Sequence, residues 1–126
     1  MKLEFFKDGN AGAPMLLLYG GDTEEVTLLR QAFRDVAQGR VRRLAVHNLP
    51  FVEAVEGCRL LAVLGSKDVG IVTAAPTDFT WTLDAESWLW TDELLAPFCR
   101  EDPGVRFQYL NPARGPEVLY STGREW

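Results

Sequence analysis

The sequence predicts an α+β fold, a single mainly antiparallel sheet with two helices packed on one face. Three observations carry this expectation. Only two segments place apolar residues at helical spacing. Many short segments alternate apolar and polar residues at period two. The connections between those segments are mostly short, and short connections join antiparallel strands, whereas parallel pairs need long crossovers. At 126 residues the chain fits one domain spanning 1–126, with no repeat or linker to divide it. Its 47% hydrophobic and 25% charged residues support a packed core without disulfide or metal staples.

The elements follow in order. Lys2 to Lys7 sets Leu3 and Phe5 against Lys2 and Glu4, as a strand edge does. The turn cluster Asp8-Gly9-Asn10-Ala11-Gly12 separates it from Met15 to Tyr19, a continuous apolar run suited to a central strand, and the two form a hairpin. Asp22 is placed to cap the first helix, with Glu25 completing a capping box. Val26, Leu29, Phe33 and Val36 then recur at helical spacing, Arg30, Arg34 and Asp35 fall on the outer side, and Gly39 is the stop.

Val41, Leu44 and Val46 suggest a strand ending at Asn48-Leu49-Pro50. Phe51 to Glu56 and Cys58 to Leu64 read as strands around Gly57, followed by Val69 to Ala74 and by Asp78 to Leu83, where Phe79, Trp81 and Leu83 share a face. Asp84 is the cap of a second helix with Trp88, Leu95 and Phe98 at core spacing, and Pro97 should weaken its last turn. Val105, Phe107 and Tyr109 alternate as a strand, 111–116 is a loop, and Glu117 to Ser121 is a last strand. The expected order is β-β-α-β-β-β-β-α-β-β.

Several function classes lose support at this level. The mixed charged and apolar start is not a secretory signal, and the apolar runs Pro14 to Tyr19 and Leu60 to Leu64 fall far short of the roughly 20 residues a membrane span needs, so a cytoplasmic protein is expected. Cys58 and Cys99 read as reduced, buried thiols, in no zinc-binding spacing. A net charge of −5 argues against a nucleic-acid partner, since phosphate binding needs a basic surface. One histidine, His47, excludes a multi-histidine metal site, and no motif implies a metal or other cofactor. His47 could act as a general base and Cys99 as a thiol nucleophile only if the fold sets them in a pocket with partners. Gly20-Gly21-Asp22-Thr23 matches neither a P-loop nor a dinucleotide fingerprint and reads as a turn and cap. No nucleophile-elbow serine motif is present.

Two charge clusters remain. Arg30, Arg34, Arg40, Arg42 and Arg43 crowd one stretch, and Asp84, Glu86, Asp92, Glu93, Glu101 and Asp102 another. Trp90 is off the core stripe of the second helix and stands beside Asp92 and Glu93. Glu86, Trp90 and Glu93 recur at three- to four-residue spacing and form the candidate binding face for a protein partner. The alternative is an anion or small-molecule site built from Arg34 and Arg43.

The ending Val118-Leu119-Tyr120-Ser121-Thr122-Gly123-Arg124-Glu125-Trp126 resembles the tails of small bacterial α+β proteins that close on an apolar strand and S-x-x-G-x-W. Here Gly123 stands one residue nearer Ser121 and one farther from Trp126 than in that pattern. In size, acidity and tryptophan content the chain is also similar to toxin-immunity proteins. That resemblance implies a non-enzymatic protein that binds another protein, and it transfers no site residue.

Overall fold

A computed structural model describes residues 1–110 and 113–126. The chain runs β1 (Lys2–Asn10), β2 (Ala13–Tyr19), α1 (Thr23–Ala37), β3 (Arg43–Ala45), β4 (Glu53–Ala54), β5 (Arg59–Leu64), β6 (Gly70–Ala75), β7 (Asp78–Leu83), α2 (Ala85–Leu94), β8 (Phe107–Tyr109) and β9 (Glu117–Ser121). Short 3-10 turns occupy Val46–Asn48, Val55–Gly57 and Ala96–Cys99. Five strands stand between the helices, matching in number the five segments read there and one more than the expected element order gave. The expected loop at 111–116 falls partly on Asn111 and Pro112, which lie outside the described residues.

The single mainly antiparallel sheet is not what forms. Among the described residues there are two mixed sheets, a five-stranded one ordered β4-β1-β2-β9-β8 and a four-stranded one ordered β3-β5-β7-β6. Short connections misled for two reasons. First, β9 returns from the far end of the chain to lie parallel to β2, pairing Leu16 with Val118 and Leu18 with Tyr120. Second, the β6–β7 hairpin folds back so that β7, not β6, lies beside β5, in parallel. The stretch read as two strands around Gly57 is where the chain changes sheets. Glu56 and Gly57 both adopt left-handed backbone, at φ 52° and 70°, and this turn separates β4, beside β1, from β5 in the other sheet. Glu56 is a non-glycine residue in that region, a conformation that costs energy unless its surroundings hold it.

Both helix starts form as their sequences require. Asp22 Oδ1 accepts from the Glu25 amide at 2.8 Å, and the Glu25 carboxylate accepts from the Asp22 amide at 3.1 Å, a complete capping box. Asp84 caps α2 through the Ser87 amide at 2.9 Å. The helix α2 ends at Leu94, and Pro97 lies in the 3-10 turn that follows, where its missing amide costs nothing. No helix among the described residues is long and apolar enough to cross a membrane.

One core joins both sheets and both helices. Leu3, Leu16, Leu18, Val118 and Tyr120 come from the inner face of the first sheet, and Leu60, Ala62, Phe79, Trp81 and Leu83 from that of the second. Val26, Leu29, Phe33 and Val36 of α1 and Trp88 of α2 complete it. At its centre Phe33 stacks on Trp88 with ring centroids 5.4 Å apart, and Trp81 meets Trp88 edge-on at 4.7 Å. The Trp88 indole N–H donates to the Val63 carbonyl at 3.0 Å, so its polar end is satisfied inside. A smaller cluster of Met15, Leu17, Tyr19 and Leu119, with Phe6, lies on the opposite face of the first sheet. Strand register accounts for the division, because side chains alternate between faces along each strand.

Candidate functional site

The helix α2 presents two chemically distinct sides. Trp88, Thr91, Asp92 and Leu95 are buried, while Glu86, Leu89, Trp90 and Glu93 are exposed. Glu86 and Glu93 each stand three or four residues from both Leu89 and Trp90, so the four form one continuous outer strip. Trp90 is 61% exposed and Leu89 43%. Trp90 is therefore a surface residue, and the core of α2 is complete without it. Asp68 extends the acidic surface at the helix start, where its carboxylate accepts from the Asp84 amide at 2.9 Å and from the Ser87 hydroxyl at 2.6 Å. Leu89 is the member that sequence reasoning missed. Its spacing from Glu86 and Glu93 was the available signal.

Asp92, in contrast, leaves the acidic surface altogether. Its side chain is 2% exposed and held between two arginines of α1. Arg30 Nε donates to Oδ1 at 2.7 Å, and Arg34 donates to Oδ2 through Nε at 3.2 Å and Nη2 at 3.0 Å. A buried carboxylate is tolerable only with such charge-assisted partners. The pairing explains why an aspartate occupies the inner side of α2 and why two arginines lie on the flank of α1.

The same geometry dismantles the anion site expected from Arg34 and Arg43. Arg34 is committed to Asp92 on the helical side of the second sheet. Arg43 is exposed and in register with Val63, one residue out of phase with half-buried Leu44 and buried Ala62, which face the core, so its side chain belongs to the opposite, outer face. Strand alternation and the sheet itself separate the two guanidinium groups.

His47 and Cys99 are likewise held in separate places. Both the amide and the carbonyl of Leu60 reach His47 Nδ1, at 3.0 and 3.2 Å, and the shorter contact, with the amide donating, favours the tautomer that carries its proton on Nε2. Nε2 is buried and has no hydrogen-bond partner among the described residues. Cys99 Sγ accepts from the Thr27 hydroxyl at 3.5 Å and from Arg30 Nη1 at 3.8 Å. Cys58 is buried near the first sheet, where desolvation, with the Glu4 charge, pushes its thiol up to about 11. Among the described residues no group of three or more His, Cys, Asp and Glu side chains is placed to hold a metal ion.

Two adjoining open depressions of about 390 Å³ each lie off the carboxyl ends of the parallel strands β2 and β9. Asp22, Glu101 and Asp102 share their walls with Arg100 and Arg106, so the lining mixes both signs of charge. Tyr120 closes the floor of one of them by donating to the Gly21 carbonyl at 3.3 Å. The Gly20-Gly21-Asp22-Thr23 segment is the turn and cap expected of it, with the Gly20 amide donating to the Ser121 carbonyl and the Glu25 amide to Asp22 Oδ1.

No protein-family model, no curated protein and no solved structure matches the chain.

Proposed function

We propose that this chain is a non-enzymatic, cytoplasmic protein-binding domain that docks a basic protein partner on the outer strip of α2, in the manner of an immunity protein neutralising a toxin. The observation that carries the reading is Trp90, a tryptophan 61% exposed on a helix whose buried side is already filled. A large aromatic left in water beside Leu89 and framed by Glu86 and Glu93 has the composition of an interface anchor with a charged rim. The acids favour a basic surface and act mainly on the rate of association, while the tryptophan contributes affinity. The overall charge of −5 works in the same direction.

The test is affinity capture from the native host with three baits, the unaltered chain, Trp90→Ala and the double variant Glu86→Lys/Glu93→Lys. A basic protein should be recovered stoichiometrically with the first and released by salt. Trp90→Ala should weaken its binding by about 2 kcal/mol, roughly 30-fold, with the fold intact. Equal recovery with all three baits, or none with any, overturns the reading.

A further inference from the structure

The outer face of the first sheet carries a second exposed aromatic surface, remote from α2. Tyr109 is in register with Leu119 and Phe107 with Ser121, so both rings stand on the face opposite the main core. They meet edge to face with centroids 6.1 Å apart. The chain after β9 returns over this face, and Trp126 packs on Phe6 with centroids 5.0 Å apart. Phe107, Tyr109 and Trp126 all remain more than a third exposed. Between Phe107 and Trp126 lies a notch of about 130 Å³, completed by Arg106 and Glu125.

The same face already holds one cation in a pairing of ring and carboxylate. The Arg124 guanidinium lies 5.0 Å from the Phe6 ring centre and donates to both Glu4 oxygens at 3.2 and 3.1 Å. The notch repeats those parts with a far looser resident. Arg106 meets Glu125 through one contact of 3.5 Å, and the two side chains are 80% and 72% exposed. A pair so exposed contributes little and exchanges readily.

We propose that the notch between Phe107 and Trp126 is a binding site for an organic cation, either an alkylammonium or the lysine or arginine head of a peptide, which displaces Arg106 from Glu125. Aromatic faces attract cations through their quadrupoles, tryptophan most strongly, and the attraction grows where water is excluded. A volume of 130 Å³, about that of four waters, suits a single cationic head rather than a drug-sized ligand. The site is independent of the α2 strip and of the reading attached to it.

The experiment is a titration of protein labelled with ¹⁵N-tryptophan, using tetramethylammonium chloride in one arm and a short lysine-containing peptide in the other, each against sodium chloride at matched ionic strength. The Trp126 indole signal should shift and saturate while that of Trp90 stays in place. Saturation with tetramethylammonium alone identifies a free alkylammonium as the ligand, and tighter binding of the peptide identifies a partner's side chain. Phe107→Ala and Glu125→Gln should each weaken binding. Arg106→Ala should tighten it about threefold, since the resident competitor is removed. A Trp126 signal that moves no further than in sodium chloride overturns the proposal, as does a weaker affinity in Arg106→Ala. Glu125→Gln changes an exposed side chain, so its effect is separable from folding.

Discussion

Arg30 and Asp92 are joined twice across the helix pair, because Arg30 Nε donates both to Asp92 Oδ1 at 2.7 Å and to the Asp92 main-chain carbonyl at 3.1 Å. One guanidinium thereby locks α2 in both position and rotation against α1. With Trp88 stacked on Phe33, this decides which side of α2 faces water.

Removal of the carboxylate is therefore expected to act on stability. Asp92→Ala leaves Arg30 and Arg34 facing one another and should cost about 2–3 kcal/mol in chemical denaturation. That is below the range for a fully enclosed pair, because Arg34 keeps contact with solvent. Arg30→Ala should cost more than Arg34→Ala, since Arg30 is the more buried of the two. Equal and negligible losses would show that the clamp contributes nothing.

The two tryptophans of α2 should separate cleanly in thermal unfolding. Trp88→Ala empties the centre of the core and should cost roughly 3–5 kcal/mol, enough to endanger folding of a domain this small. Trp90→Ala should change stability by less than about 0.5 kcal/mol. A melting temperature lowered alike by both substitutions would make Trp90 a core residue and remove the basis for α2 as a docking strip.

Stability should decline at both ends of the pH scale, for opposite reasons. The hydrogen bond from Arg124 holds the Glu4 carboxyl below its usual 4.5. Its contribution is present above about that pH and is lost as pH falls through the lower folded value. The melting difference between the unaltered chain and Glu4→Gln should accordingly shrink in acid. At the alkaline end, burial raises Cys58 from 9.0 to about 11 and Tyr120 from 10.0 to about 12. Each favours the folded state below its unfolded value, and that advantage disappears as pH rises through the folded one. Unfolding in alkali should set in above about pH 9, and less steeply in Cys58→Ala.

His47 should show the tautomer protonated at Nε2 in ¹⁵N spectra, because the Leu60 amide at 3.0 Å is a closer partner of Nδ1 than the Leu60 carbonyl at 3.2 Å. His47→Ala should cost about 1–2 kcal/mol by leaving that amide without its partner. An Nδ1-protonated ring would contradict this arrangement.

Local features were legible in the sequence wherever their cause is local. Asp22 and Asp84 cap helices because a carboxylate reaches an amide only three residues away. Trp81, Trp88 and Trp90 separated into buried and exposed by helix and strand periodicity alone. Of the candidate site, Glu86, Trp90 and Glu93 share one face as their spacing requires. Asp92 was misread as part of the acidic surface, because its partners lie far away in sequence on α1.

Composition, periodicity and capping determined by themselves that this chain has two helices with defined starts, many short strands and an acidic strip on its second helix. Which strands pair was decided only in three dimensions. The parallel contacts of β2 with β9 and of β5 with β7 depend on packing two apolar faces around one aromatic centre. Hydrophobic burial rewards any arrangement that hides those faces and carries no record of chain order. Charge obeyed the same division. Spacing placed Arg34 and Arg43 in one cluster, and the sheet between them, with Asp92 waiting on one side, set them apart.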